Sequence, residues 1–219
     1  MRFLRLGRRL RFPRFLSGLW LSALCFAGLG ACSADAPPDL PGSHGSGAVD
    51  VAGGSCNALP TVVLTDLART HVPTCSEVSY ADNPPAGGQH YPVWAAFQSY
   101  SFAVPRGFWV HDLEHGAIVF SYNCVALPAG CADEVAQVQA LIDALPKDPA
   151  CSAATPRRVV LTPDPLLDTR WGVSAWGFTL RAECVDEQRF RQFYLNHFAL
   201  GPEDLCSPGS DFGGTPPCE

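Results

Sequence analysis

Three of the chain's six histidines and a glutamate fall within 26 positions, in two short stretches near the middle of the sequence. One is Asn83-Pro84-Pro85-Ala86-Gly87-Gly88-Gln89-His90-Tyr91-Pro92, and the other is His111-Asp112-Leu113-Glu114-His115-Gly116. Imidazole is the commonest protein ligand for divalent transition ions, so this clustering points to a metal site. His90, His111 and His115 are the candidate ligands. Glu114 is the candidate catalytic carboxylate, or else a fourth ligand or a partner to one. If the second stretch coils, His111 and His115 lie one turn apart on one face and their ring nitrogens can meet at a point. Three neutral imidazoles would leave a position for water, the arrangement by which catalytic zinc lowers its water's pKa. Pro84-Pro85 stiffens the approach to Gly87-Gly88, a pair that permits backbone conformations closed to other residues, and the resulting loop presents His90 and Tyr91. A histidine and carboxylate donor set favours zinc, with Cu²⁺ or iron as alternatives, over Cu⁺. The single methionine is Met1, so a thioether copper site has no ligand. No other cofactor is expected.

Each residue also has a plainer reading. His90 can hydrogen-bond to backbone inside an aromatic-lined turn, and His111, Glu114 and His115 can form a buried polar cluster in which the glutamate accepts from a histidine. His71 is a further candidate ligand, although Thr70-His71-Val72 reads equally well as a strand end. His197 lies on an apolar helix face and reads as a core histidine; His44 sits in a polar tether and reads as inert. Trp94, Trp109, Trp171 and Trp176 read as core or pocket wall. His111-x-x-Glu114-His115 matches the H-x-x-E-H pattern of inverted zincins. Those peptidases carry it in a sustained helix, whereas Pro105-Arg106-Gly107 before it and Gly116 after it leave room for at most two turns. Zinc-dependent hydrolysis therefore ranks below metal binding. No Gly-x-Ser-x-Gly elbow or phosphate-cradling loop is present.

The ends of the chain bear on where such a site would work. Residues 1–14 hold six arginines and no acidic residue; an apolar run from Phe15 to Leu29 follows and ends in Leu29-Gly30-Ala31-Cys32. A basic region, a short apolar region and a small-residue cleavage site make an export signal over 1–31, too short to favour a permanent span. The tetrapeptide resembles a bacterial lipobox, in which Cys32 becomes the lipidated first residue. Residues 32–55 form a polar, Gly- and Pro-rich tether that cannot bury enough surface to order itself. A globular domain over 56–205 and an irregular tail over 206–219 complete the organisation. The expected address is the bacterial cell envelope, extracytoplasmic and membrane-attached through lipid; Ser33 carries no aspartate retention signal, which favours the outer membrane.

Removing 1–31 takes away six arginines and no acidic residue, so the net charge moves from −6 to −12. An acidic chain with no basic patch is a poor nucleic-acid binder. Cys56, Cys75, Cys124, Cys131, Cys151, Cys184, Cys206 and Cys218 read as disulfide partners in an exported chain, with Cys124/Cys131 and Cys206/Cys218 as candidate local staples. The absence of Cys-x-x-Cys argues against a redox motif or a zinc ribbon.

These residues need elements to hold them. Thr61–Leu64 is a short β-rich run, and the aromatic-rich Val93–Val104 could carry a strand. Gly116–Tyr122 is a continuous apolar run suited to a strand buried on both faces. Asp133–Leu145 has Val135, Val138, Ile142 and Leu145 on one helical face and stops at Pro146. Arg158–Thr162 and Gly172–Arg181 read as strands, and Asp186 can cap a last helix bearing Phe190, Phe193 and Tyr194. The order strand, helix, strand, strand, helix predicts an α+β fold: a mainly antiparallel sheet, helices packed on one face, stapled by disulfides.

Tyr80-x-x-Asn83-Pro84-Pro85-x-Gly87-Gly88-x-His90, Val110-His111-x-Leu113-Glu114-His115-Gly116 and Ala175-Trp176-Gly177 together resemble the domain-of-unknown-function family 3105, bacterial proteins often exported or membrane-attached. The likeness runs from about His71 to Asp204 and includes Phe190-x-x-Phe193 and Gly201-Pro202-Glu203. It implies a family without an established activity, and makes the eight cysteines an elaboration on its pattern. Two function classes follow: an exported metal-binding or hydrolytic domain, or a non-catalytic envelope module that meets a protein or glycan partner through its aromatic surface.

Overall fold

The computed structural model describes residues 56, 59–125 and 131–218. The expected signal peptide, Cys32 and the tether with His44 lie outside the described residues. In chain order the elements are β1 (Val62–Val63), α1 (Arg106–Glu114), β2 (Ile118–Tyr122), α2 (Ala132–Ala144), β3 (Val159–Pro163), β4 (Trp171–Ala175), β5 (Phe178–Ala182) and α3 (Glu187–His197), with a short 3₁₀ turn at Phe212–Gly214. The strands form one sheet in the order β1-β5-β4-β2-β3, antiparallel except for β2 beside β3. That one parallel pair needs a crossover, which α2 supplies. The fold is α+β.

Strand pleating explains why β2 reads as an unbroken apolar run. Ile118 and Phe120 point to one face and Val119 to the other, and both faces are covered. On the first face α2 contributes Val138, Leu141 and Ile142, and α3 contributes Phe190, Phe193 and Tyr194. Asp186 caps α3 as expected, its carboxylate accepting from the Arg189 amide at 3.0 Å. On the second face lie Phe108, Trp109, Val110 and Leu113 of α1, with Tyr91, Ala95 and Tyr100 from the preceding loops. Thus α2 and α3 share a face as predicted, while α1, a helix that the strand–helix–strand–strand–helix order leaves out, covers the opposite one.

Three expectations change in detail. Gly172–Arg181 is a hairpin and not one strand: β4 and β5 pair with Ala175 opposite Phe178, and the two-residue turn Trp176-Gly177 uses a glycine at φ +80°. Val93–Val104 carries no strand. It makes isolated bridges, one of which shields the outer edge of β3 through Tyr100 N–H to Leu161 O at 2.8 Å and Leu161 N–H to Gln98 O at 3.1 Å. The α1 segment is nine residues, two and a half turns, where two were the expected limit.

Four disulfides staple the described residues: Cys56–Cys184, Cys75–Cys218, Cys124–Cys131 and Cys151–Cys206, with Cα separations of 5.2–5.7 Å. Cys124–Cys131 is local, as its spacing suggests. Cys206 and Cys218 do not pair, because the tail between them runs back over the domain. The Ser210 amide donates to Trp94 O and the Ala96 amide to Ser210 O, so the two cysteines reach different partners. Among the described residues no helix is long and apolar enough to cross a membrane.

Candidate metal centre

Eight of the nine residues of α1 are buried, and its last turn supplies the centre. His111 and His115 lie one turn apart, with Nε2 atoms separated by 3.2 Å. Gly116 at φ +82° ends the helix: its amide donates to Leu113 O and the Ala117 amide to Asp112 O, a paired arrangement that closes the last carbonyls and sends the chain into β2. Gly87 and Gly88 both take positive φ, +143° and +119°, and deliver His90 into the same space. His71 arrives by backbone pairing. The Val72 amide donates to His90 O at 2.8 Å and the His90 amide to Thr70 O at 3.2 Å, which sets His71 against His90 with ring centroids 4.9 Å apart.

One ligand atom from each of His71, His90, His111 and Glu114 lies within 4.8 Å of all the others. His90, His111 and Glu114 are buried, and His71 is exposed, so the group sits just under the surface. His90 Nδ1 donates to Gly88 O at 2.8 Å and His111 Nδ1 donates to Tyr91 O at 2.6 Å. A backbone carbonyl can only accept, so each ring carries a hydrogen on Nδ1 and, in its neutral form, turns an Nε2 lone pair inward. His90 Nε2 faces Glu114 Oε2 at 3.0 Å and has no hydrogen-bond partner. At that distance either a proton on Nε2 or a shared metal cation would join the two. Tetrahedral bonds near 2 Å would set neighbouring ligand atoms about 3.3 Å apart; the His90–Glu114 pair is close to that at 3.0 Å, and the whole group spreads to 4.8 Å.

Glu114 is the one carboxylate in the four. Burial alone would raise its pKa, but the Arg69 Nε–H bond to Oε1 at 2.7 Å and the charges of His90 and Arg69 outweigh that and hold it below the usual range. Burial lowers His111 and, with His111 adding to it, pushes His115 down to about 4. Burial thus favours the neutral form of His111 and of its neighbour His115 beside an anionic Glu114, the protonation states that metal ligation requires. The described cysteines are all in disulfides, which leaves nitrogen and oxygen donors only.

The structure brings His90, His111 and Glu114 into the four-residue group and sets His115 beside it, against His111. Trp94 walls the site, its ring 5.1 Å from His111 and 4.7 Å from His115. Trp109 and Trp171 are fully buried, and Trp176 stands edge-on to His90 at 6.2 Å. His197 is elsewhere, stacked on Phe178 at 4.1 Å. Two neighbours escaped the sequence reading. Arg69 had no local pattern to mark it. Glu203 lies inside Gly201-Pro202-Glu203, a motif whose residue types alone assign it no role.

The model of the family described as "Protein of unknown function (DUF3105)" matches residues 71–208. The chain belongs to the DUF3105 family. That span takes in all four residues of the group, from His71 onward. No curated protein and no solved structure gives a significant match.

Proposed function

We propose that this DUF3105 chain is an extracytoplasmic, lipid-anchored domain that binds one divalent transition ion, zinc, through His71, His90, His111 and Glu114. The observation that carries the reading is the orientation of the imidazoles. Both His90 and His111 donate Nδ1–H to a backbone carbonyl, and His90 aims Nε2 at the buried Glu114 carboxylate, as metal-ligating histidines do when their outer nitrogen is fixed by a partner. Four protein donors favour retention of an ion over hydrolysis, since a hydrolytic zinc keeps a position for water. Glu114 then acts as a ligand, with Arg69 fixing its other oxygen.

Elemental analysis of the purified full chain after zinc loading and desalting tests this. About one ion per chain is expected from the ligand count, and almost none in a His90→Ala/His111→Ala variant. Chelation should lower the stability of the loaded protein by about 4 kcal/mol at an ion concentration 1,000 times Kd. Retention of no ion, with melting indifferent to chelator, would overturn the reading.

A second reading has its own support. Arg69 already neutralises Glu114, and burial already holds His111 and His115 neutral, so the cluster can persist as a structural polar core. The domain would then be a non-catalytic envelope module that contacts a protein or glycan. In that case His111→Ala would act through stability alone.

A further inference from the structure

After α3 the chain returns to the centre and crosses the end of α1. The Ala199 amide donates to Gly116 O at 2.8 Å, the Glu203 amide to Glu114 O at 2.8 Å and the Leu205 amide to His115 O at 3.5 Å. Gly201 passes so near that a Cβ there would run into the backbone of Glu114 and Gly116. Beyond it the strap is fixed twice. Arg158 Nη1 donates both to His115 O at 2.8 Å and to Asp204 Oδ1 at 2.6 Å, and Cys206 is bonded to Cys151. Arg158 is itself buried and held by Asp148 at 2.6 Å, so this anchor is rigid.

Between the fixings, Glu203 turns its carboxylate toward the centre. Oε2 is 3.4 Å from His115 Nε2, and Oε1 is 3.6 Å from Arg69 Nη2. Neither partner belongs to the four-residue group, but each touches a member of it: His115 touches His111 at 3.2 Å, and Arg69 touches Glu114 at 2.7 Å. Glu203 thus completes a chain of polar contacts running His90, Glu114, Arg69, Glu203, His115, His111, whose two ends lie side by side with ring centroids 4.8 Å apart. It is half exposed and, with His71 and Arg69, forms the solvent-side rim.

We infer that the strap 199–206 is the retaining element of the metal centre and that Glu203 is its positioning residue, seating His115 against the His111 ring and holding Glu114 through Arg69, with Cys151–Cys206 keeping it seated. This rests on the metal reading above. The ion leaves when the strap lifts, so the strap governs the dissociation rate. A purely structural Glu203 would alter melting without altering release.

The test measures zinc release from the loaded full chain into excess chelating dye. Glu203→Gln should release zinc about tenfold faster, the lower end of what outer partners of metal ligands contribute, while the metal-free chain melts as before. Glu203→Asp should recover part of the loss. Gly201→Ala and Cys151→Ser/Cys206→Ser should both speed release, and adding Glu203→Gln to the cysteine pair should give less than the product of the two effects, since both act through one element. Cys124→Ser/Cys131→Ser, which touches none of these contacts, should release zinc at the original rate. An unchanged rate in folded, zinc-loaded Glu203→Gln overturns the inference and leaves the metal site standing. An unsubstituted chain that takes up no zinc overturns the metal reading itself.

Discussion

Asp112 in the last turn of α1 and His115 just after it are pushed by burial in opposite directions, and the signs give separable tests on the metal-free chain. The His115 pKa is held near 4 against an unfolded value near 6.5, so between those values the unfolded chain binds more protons and stability rises with pH. His111 acts in the same sense, and the depressed Glu114 adds a further loss below the ordinary glutamate range. The cost at His115 grows to about 3 kcal/mol by pH 4. Urea melts in the presence of chelator should therefore weaken from pH 7 to pH 4.5, and His115→Gln should flatten that slope; an equal slope in both would refute the assignment. Asp112 is the reverse case. Its carboxyl is fully buried, accepts only a 3.3 Å bond from the Ala95 amide and leaves Oδ1 without a partner, so burial raises its pKa well above the ordinary value. A raised acid pKa contributes most at low pH and loses that contribution as pH rises past the unfolded value. Asp112→Asn keeps the acceptor without the charge. It should match or exceed the parent in stability at pH 7 and lose that advantage at pH 4.

At the scale of elements, what was legible depended on whether an element leaves one side in water. α2 and α3 do, and their apolar faces and end signals placed them within about a residue or two, the usual ambiguity of helix ends. α1 is buried all round, with Phe108, Trp109 and Val110 in succession, so it has no polar face to set a period and read only as a possible short coil. The β4–β5 turn hid for a related reason: Trp176-Gly177 interrupts the alternation without a polar residue. The candidate ligands His90, His111 and Glu114 were visible because they are close in sequence and rare in type. Arg69 and Glu203 reach the site from distant segments through backbone pairing, which spacing does not encode. Gly116 joins two of these elements. At φ +82°, with a Cβ that would sit 2.9 Å from Ala199 Cα, Gly116→Ala strains the α1 terminus and the strap together. We expect a stability loss of about 1–3 kcal/mol by denaturant titration. Zinc release should also be faster, because the strap is displaced.

Across the whole molecule, one disulfide binds the C-terminal end of the described chain to the segment beside the centre. Cys75–Cys218 spans 143 residues, and Cys75 stands four positions after His71. His71 is the exposed member of the donor group, and backbone pairing with His90 is what places it. The tail that carries Cys218 also lies over Trp94, the wall of the site, through Ser207 O accepting from Trp94 Nε1 at 3.1 Å. An exported, lipid-tethered domain would keep these bonds in an oxidising compartment, where they persist. Cys75→Ser/Cys218→Ser should therefore do two things. Stability should fall by about 2–5 kcal/mol, as expected when a long loop is no longer closed in the unfolded chain. Zinc should bind more weakly as well, because the segment carrying His71 loses its second anchor, whereas Cys124→Ser/Cys131→Ser, which closes seven residues far from the donors, should leave zinc affinity unchanged. Competition against a chromophoric chelator separates the two effects: a Cys75→Ser/Cys218→Ser chain that is less stable yet binds zinc with the original affinity would show that His71 needs no support from the tail.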